Sequence, residues 1–331
     1  MATLIEKLIE DAKGAPKRVA LPECEADNTL LAARKVADDG IGTPVLVSPR
    51  DVIEATAARA GVSLDGMEIV DNTDETAADA LAGRYMAGGP RLISAKGSRR
   101  KIKNPMYYAM MMEELGDVDC TFCGHTNTTG DVLLAAQTII GLAEGVDVPS
   151  ILALVETPGF EGPEGEVICF TDCGLNPEPT ASELASIAIA AADGVRSLMG
   201  WEPRVGFLSF STAGSGTGAS VDRVDEAIKL VRERRPDIAA DGEFQLDAAI
   251  DPKVAAKKVG RESEVAGRAN VLVFPDLNAA NIAIKLVQRF AHGKGYGHNL
   301  YGFKCPVADS SRGATAEEIV GDIAMLVLSA R

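Results

Sequence analysis

The sequence is poor in aromatic residues, which make up 5% of its 331 residues, although 46% of the chain is hydrophobic. Its apolar content therefore comes mainly from alanine, valine, isoleucine and other aliphatic side chains, accompanied by 33 glycines. This composition is typical of α/β proteins, in which parallel strands are buried on both faces. A chain of this length is enough for about two domains and can bury a large core without disulfide or metal staples.

An excess of positive charge is also absent, since the formal net charge is −15 at pH 7. Nucleic-acid binding requires a basic surface, so we predict no nucleic-acid partner. The charge does not exclude a small anionic ligand, which needs only a local positive pocket.

No apolar run is long enough to cross a bilayer, and residues 1–9 have the pattern of an amphipathic helix, not of a signal peptide. We therefore predict a cytoplasmic protein with no membrane partner. Six cysteines are scattered along the chain, and we expect free thiols. Cys120 and Cys123, followed by His125 and later by Cys169 and Cys173, are metal ligands, a redox pair, or buried thiols that pack as small hydrophobes.

Strand and helix patterns alternate along the chain, which predicts parallel sheets covered by helices on both faces. Strands are predicted over 18–22, 44–47, 67–70, 151–155, 167–171, 205–210 and 271–274. Helices are predicted over 29–37, 51–60, 75–86, 106–115, 132–143, 181–199, 221–234, 278–291 and 314–328. The strands 151–155 and 167–171 suggest a hairpin, and turn residues at 144–149 suggest a domain junction.

The segment Pro306–Gly313 combines an acid, two serines and a guanidinium just before a predicted helix. Backbone N–H groups at a helix N-terminus, together with Arg312, can bind an oxyanion such as phosphate. The same residue types also cap helices, so this motif alone does not identify a site.

Three other corners follow predicted strands. Residues 209–218 are small hydroxyl residues and glycines that either cradle an anion or form a flexible connector, and they match neither an NTPase P-loop nor a dinucleotide fingerprint. The acids of 241–249 either bind a metal or form a turn and a helix cap. After the corner 274–281, Lys285 and Arg289 share one helix face and either form an anion site or are simply exposed.

These corners, in this order, resemble the phosphate acetyltransferase and phosphate butyryltransferase (phosphotransacetylase) family. The resemblance covers most of the chain, is strongest from about residue 165 onward, and is nearer the acetyl branch. The motifs that carry it are Ser-x-Ser-Thr-x-Gly-Ser-Gly at 209–216, Asp-Gly-Glu-x-Gln-x-Asp-Ala-Ala at 241–249, Ser-x-Val-Ala-Gly-x-Ala-Asn-Val at 263–271, Phe-Pro-Asp-Leu-Asn-x-x-Asn at 274–281 and Lys-x-Pro-Val-x-Asp-x-Ser-Arg-Gly at 304–313.

The resemblance implies two three-layer α/β/α domains with an active-site cleft between them, in a fold like that of the isocitrate and isopropylmalate dehydrogenases. We expect residues 1–145 with 302–331 to form the domain that carries the Ser-Arg-Gly motif, and 146–301 to form the other. The implied reaction is reversible transfer of a short acyl group, acetyl first, between CoA and phosphate in a ternary complex. A homodimer is implied as well, with acyl-CoA and phosphate as substrates, no permanently bound cofactor and no metal.

The resemblance also implies roles for individual residues. Arg312 would bind phosphate and polarise the acyl carbonyl, while Ser311 would hydrogen-bond the reacting centre without acting as a nucleophile. Glu318, at the position of a family aspartate, would be the general base, unless it is only a first-turn acid that faces the helix dipole. Substrate contacts are expected from Thr128, Thr129, Ser211, Thr212, Gly216, Asn281, Arg289 and Asp309.

Parts of the chain depart from the family pattern. The family's Thr-Ala-Asp-Thr-x-Arg-Pro is Thr-Gly-Asp-Val-Leu-Leu-Ala at 129–135, so Leu134 lies where the family has an active-site arginine. The segments 22–28 and 118–124 differ too. The alternative is therefore a non-catalytic or weakly active paralogue that binds CoA esters or promotes oligomerisation. A dehydrogenase is disfavoured, because the site motifs do not match that class.

Overall fold

A computed structural model of the chain describes residues 3–14, 17–297 and 299–330. The chain divides into two compact units, Met1–Gly141 with Phe303–Arg331, and Leu142–Gly302. The boundaries expected from the sequence, at 145/146 and 301/302, lie within a few residues of these.

Each unit contains both strands and helices. The strands are β1 (Lys17–Leu21), β2 (Gly42–Val47), β3 (Glu68–Val70), β4 (Cys120–Cys123), β5 (Ser150–Glu156), β6 (Val167–Thr171), β7 (Arg204–Leu208), β8 (Ala239–Phe244), β9 (Val271–Val273), β10 (Lys294–Tyr296), β11 (Asn299–Tyr301) and β12 (Val307–Asp309). The helices are α1 (Leu4–Ala12), α2 (Asp27–Asp38), α3 (Arg50–Ala60), α4 (Glu75–Ala87), α5 (Ala95–Lys101), α6 (Pro105–Glu114), α7 (Thr129–Ile139), α8 (Ala181–Met199), α9 (Ala219–Arg234), α10 (Leu246–Ile250), α11 (Pro252–Lys258), α12 (Leu277–Phe290) and α13 (Ala316–Ser329).

The first unit is built on a parallel sheet with the strand order β3-β2-β1-β4-β12. Helices α1, α2, α3 and α13 form one packed group and α4 to α7 another, as expected for helix layers on opposite faces of the sheet. The chain proceeds outward from β1 to β3 and then returns to β4 on the other side of β1. Ligands of open α/β sheets bind outside the carboxyl ends of the strands at such a reversal.

The second unit has the strand order β11-β5-β6-β9-β7-β8, and β10 also pairs with β5. Strands β6, β9, β7 and β8 are parallel, whereas β5 and β6 form the predicted hairpin as an antiparallel pair. Helix α8 packs on α9, and α10 packs on α11. The core includes Phe170, Leu208, Phe244, Leu272 and Phe274. Both units are thus α/β, as predicted.

Local capping explains where the helices begin and end. The predicted bounds of α8 are confirmed, because Thr180 and Glu183 form a capping box and Gly200 ends the helix with a φ of 65°. The predicted helix 132–143 is wrong at its end: α7 stops at Ile139, two residues before Gly141, whose φ is 82°. Among the described helices, none is long and apolar enough to span a membrane.

Candidate active site

The carboxyl edge of the first sheet brings together three segments that are distant in the sequence. Strands β1, β4 and β12 are neighbours, and they lead into Glu23, Gly124–Thr128 and Ser310–Arg312. Helices α2, α7 and α13 begin shortly afterwards, so their N-termini lie at the same edge. Free N–H groups and helix dipoles make such an edge favourable for an anion.

A buried carboxylate fixes the loop that follows β4. Glu23 is 2% exposed. Its Oε1 accepts hydrogen bonds from the backbone N–H groups of Gly124 at 3.1 Å and Asn127 at 2.9 Å, and from Asn127 Nδ2 at 2.7 Å. Its Oε2 accepts one from the backbone N–H of His125 at 2.7 Å. Four donors thus compensate for the burial of this charge and hold the loop in one conformation.

The same loop contacts the segment after β12. The backbone N–H of Ser310 donates to the carbonyl of Cys123 at 2.8 Å. Nδ1 of the half-buried His125 lies 3.2 Å from the carbonyl oxygen of Ser311. Because a carbonyl oxygen only accepts, this contact requires a proton on Nδ1. The imidazole therefore holds the Ser311–Arg312 turn against the β4 loop.

Ser311 and Arg312, the predicted Ser-Arg pair, are exposed at this edge just before α13. The Ser311 hydroxyl accepts a hydrogen bond from the backbone N–H of Gly313 at 3.3 Å. The Arg312 guanidinium makes no ion pair or hydrogen bond with any residue that the structure describes. An unpaired guanidinium beside a helix N-terminus is available to an anion. Asp309 precedes Arg312 by three residues and is buried at the end of β12.

Glu318, the predicted general base, lies in the first turn of α13 and is exposed. Its Oε2 accepts hydrogen bonds from the backbone N–H of Thr315 at 2.8 Å and from Thr315 Oγ1 at 3.1 Å, which completes a capping box. Glu318 therefore has the position of a first-turn helix acid, and its role as a base stays a prediction.

Helix α7 carries the expected contacts Thr128 and Thr129. Thr128 is the N-cap: its hydroxyl accepts from the backbone N–H of Asp131 at 3.2 Å and donates to Asp131 Oδ2 at 2.7 Å. Thr129 is exposed, and Leu134 is 55% exposed on the same helix, which contains no lysine or arginine. At the position where the resemblance predicts an arginine, the chain thus has an apolar side chain in contact with solvent.

The metal interpretation of Cys120 and Cys123 is not supported. Residues three apart on a strand project to opposite faces of the sheet, so the two thiols of β4 cannot bind one ion together. Both are fully buried, and desolvation raises the pKa of each thiol well above its ordinary value. No group of three or more His, Cys, Asp or Glu side chains in the described residues is arranged to hold a metal.

The second unit has its own cluster of motifs at one edge of its sheet, after β7, β8 and β9. Ser211 is fully buried, donates to Glu243 Oε1 at 2.6 Å and accepts from the backbone N–H of Gly216 at 2.8 Å. Thr212 Oγ1 accepts from the backbone N–H of Gln245 at 2.8 Å. These side chains shape the loop 211–216 from inside, whereas residues 213–215 are exposed.

The acids at 241–249 are all engaged within the protein: Asp241 and Asp247 pair with cations, and Glu243 accepts from Ser211 Oγ and from the backbone N–H of Gly214. Asp241 lies inside β8, not after it, and accepts from Arg232 at 2.8 Å, from Arg261 at 2.6 and 2.8 Å, and from Ser263 at 2.6 Å. Burial raises the pKa of Asp241, but the bonds from Arg261 and Ser263 outweigh it and bring the pKa below its ordinary value. Asp247 pairs with Lys258 at 2.7 Å. These carboxylates are structural, which argues against the metal alternative.

Helix α12 carries the remaining expected contacts, Asn281 and Arg289, both exposed. In the described part of the chain, Lys285 and Arg289 form no ion pair. Three apolar side chains of α12 are exposed as well, namely Ile282 (59%), Leu286 (49%) and Phe290 (81%). Their spacing of four residues places the three apolar side chains along one side of the helix.

Comparison with known proteins extends over the whole chain. The family model described as phosphate acetyl/butaryl transferase matches residues 3–327. The phosphate acetyltransferase of Clostridium acetobutylicum is 41% identical over 333 residues, which cover 99% of this chain and 98% of that protein.

Solved structures also match over nearly the whole chain. The EutD phosphotransacetylase from Staphylococcus aureus superimposes with a TM-score of 0.88 and 30% identity over 100% of both chains. A putative 4-hydroxythreonine-4-phosphate dehydrogenase from Salmonella typhimurium, 11% identical, matches with a TM-score of 0.55 over 94% of this chain and 99% of that chain, which shows a shared fold alone. The predicted fold class is confirmed, and the chain belongs to the phosphate acetyl/butaryl transferase family.

Proposed function

We propose that this chain is a phosphate acyltransferase that reversibly transfers a short acyl group, acetyl first, between CoA and inorganic phosphate. The observation that carries the proposal is the exposed, unpaired Arg312 beside Ser311 and the N-terminus of α13, in a chain 41% identical to a phosphate acetyltransferase. Acyl-CoA and phosphate are its substrates, and neither is a resident cofactor.

In the forward direction a phosphate oxygen attacks the thioester carbonyl, so that a C–O bond forms, the C–S bond breaks and CoA leaves as a thiolate. Arg312 holds the phosphate and, with the N–H groups of the α13 N-terminus, stabilises the negative charge that develops on the carbonyl oxygen. Ser311 donates a hydrogen bond at the same centre. In the reverse direction Glu318 accepts the thiol proton of CoA.

The second unit contributes the exposed residues 213–215 of the loop 211–216 and the cations Lys285 and Arg289, which favour the anionic groups of CoA. Ser211, Thr212 and Gly216 give that loop its shape. That the two units share one active-site cleft stays a prediction.

A second candidate, a weakly active or non-catalytic paralogue that binds CoA esters, is favoured by one observation. Leu134 is exposed where the family has an active-site arginine, and removal of one charge-assisted phosphate contact typically costs a few kcal/mol. The two candidates differ in turnover and not in CoA binding.

The assay follows directly. Purified protein with acetyl-CoA and phosphate should release free CoA thiol, and the release should fall at least about 100-fold in the variant Arg312→Ala. Propanoyl-CoA and butanoyl-CoA define the acyl range. If none of these thioesters releases thiol while calorimetry still detects CoA binding, the chain is the binding paralogue and the enzymatic proposal fails.

We also propose a cytoplasmic homodimer. The exposed side chains Ile282, Leu286 and Phe290 support a protein contact on α12, because apolar patches of this kind mark association surfaces. A second copy of the chain is the proposed occupant, and the buried free thiols fit a reducing compartment. The variant Phe290→Glu should convert a dimer to a monomer in light scattering, whereas the exposed control Lys285→Glu should not. A monomeric wild type would contradict the proposal.

A further inference from the structure

The contacts of Glu23 and His125 connect the buried end of β1 to the Ser311–Arg312 turn. Glu23 receives four hydrogen bonds from the Gly124–Asn127 loop. His125, inside that loop, makes the 3.2 Å contact from Nδ1 to the carbonyl of Ser311. Neither Glu23 nor His125 is among the site residues expected from the sequence.

We propose that Glu23 and His125 are positioning residues of the acyl-transfer site, an inference that rests on the proposed function. Glu23 fixes the backbone on both sides of His125, since it binds the N–H groups of Gly124, His125 and Asn127. The imidazole is thereby held with its Nδ1–H directed at Ser311. Glu23 acts on the turn only through His125 and the loop.

The Ser311 carbonyl is the point at which this relay acts. It accepts from His125 Nδ1 and from the backbone N–H of Ala314 at 3.0 Å. These two donors set the orientation of the peptide that joins Ser311 to Arg312, and therefore the direction in which the guanidinium leaves the backbone. A change of about 1 Å in the position of a substrate-binding group can cost about 100-fold in rate.

Variants of His125 separate this role from simple packing. In His125→Asn, the amide nitrogen takes the place of Nδ1 and can still donate to Ser311, whereas in His125→Gln it takes the place of Nε2 and cannot. We expect kcat to fall about tenfold or more in His125→Gln and the KM for phosphate to rise, with the KM for acetyl-CoA within about twofold. His125→Asn should retain about tenfold more of kcat than His125→Gln.

Variants of Glu23 test the first step of the relay. Glu23→Gln places an amide NH₂ against N–H donors, so it should lower kcat about as much as His125→Gln does. Glu25→Gln is the matched control, because Glu25 is exposed on the same turn and its carboxylate accepts, within the described residues, from Thr126 Oγ1 alone. If Glu23→Gln does not fold, Asn127→Ala removes one of the four donors and leaves the acid in place.

A second readout does not depend on turnover. ¹⁵N-histidine spectra of the full chain identify the tautomer, and His125→Asn assigns the resonance. We expect the Nδ1–H form in the wild type and in Glu25→Gln, and its loss in Glu23→Gln. A wild-type Nε2–H tautomer, or equal kcat in His125→Gln and His125→Asn, would overturn the inference. If the wild type releases no thiol, the proposed function fails, and titration with inorganic phosphate replaces kcat as the comparison between the two variants.

Discussion

A Cβ atom on Gly124 would lie 2.3 Å from Oδ1 of Asp309 and 2.6 Å from the backbone nitrogen of Ser310. The φ angle of Gly124 is 92°, in the region that side chains other than hydrogen disfavour. Both the backbone angle and the close approach of β12 therefore require glycine at the start of the β4 loop.

The variant Gly124→Ala should lose about 2–4 kcal/mol of unfolding free energy, from the strained φ and from the displacement of the Asp309–Ser310 backbone. Thiol release should fall with it, since Ser311 follows directly. Gly130→Ala is the control: its Cβ would have no neighbour closer than 3.8 Å, and it lies in α7. Alanine there should leave stability unchanged or raise it by about 0.5–1 kcal/mol. Urea denaturation measures both, and equal losses would contradict the steric argument.

Restoration of the family arginine at Leu134 tests how this chain binds phosphate. Leu134→Arg adds a guanidinium to a helix without a basic residue, and we expect kcat/KM for phosphate to rise at least about tenfold. Gln137→Arg adds the same charge at an exposed position one turn further along α7. A similar gain in both variants would indicate general electrostatic attraction, and no gain in Leu134→Arg would show that another group already fulfils this role.

The sequence predicts those features that neighbouring residues determine. The bounds of α8 follow from a capping box and a terminal glycine, all within the helix and its flanks. The Ser311–Arg312 turn can be predicted as well, because its motif is continuous in the sequence. The hydrogen bonds that Gly124 and Asn127 donate to Glu23 could not be predicted in this way, since they join residues more than 100 positions apart. Only the pairing of β1 with β4 brings them together.

The position of Asp241 shows a second limit. Its neighbours Gly242 and Glu243 suggest a turn after a strand, yet all three lie within β8. The arginines that pair with Asp241 come from α9 and from the segment after α11, and the sequence does not indicate those contacts. Acids alone therefore could not distinguish a metal site from a structural ion-pair cluster.

Glu318 has two possible roles, and two variants separate them. Glutamine at this position still caps α13, because a side-chain oxygen can accept from Thr315, but it cannot take a proton. If Glu318 is the general base, Glu318→Gln should lower kcat at least about 100-fold with a change in unfolding free energy below about 0.5 kcal/mol.

The second variant, Thr315→Ala, removes the cap and keeps the carboxylate. Loss of the N-cap hydroxyl should cost about 1 kcal/mol of unfolding free energy. Its kcat should fall less than that of Glu318→Gln. Stopped-flow thiol release and thermal unfolding of the same preparations give both quantities. Full activity in Glu318→Gln would show that this carboxylate only caps the helix.

Glu113 should make the stability of the protein depend on pH. It is 4% exposed on α6, and its Oε2 accepts from Thr121 Oγ1 at 2.6 Å. Burial is the main cause that raises the pKa of Glu113 well above its ordinary value of 4.5, Glu114 and Asp119 raise it further, and the Thr121 bond lowers it. The folded state therefore keeps the proton at a pH where the unfolded chain has lost it.

Because the folded state then binds more protons than the unfolded state, the free energy of unfolding falls as pH rises from about 4.5 to the raised pKa, by up to about 1.4 kcal/mol per pH unit. Glu113→Gln has the same shape and no titratable proton, so its stability should decrease less over that range. Chemical denaturation at pH 5, 6, 7 and 8 measures the difference in slope. The variant also buries one additional amide N–H, which lowers the free energy of unfolding by the same amount at every pH. This shifts the whole curve of unfolding free energy against pH and does not alter its slope. Parallel curves for the two proteins would therefore show that Glu113 is ionised in the folded state.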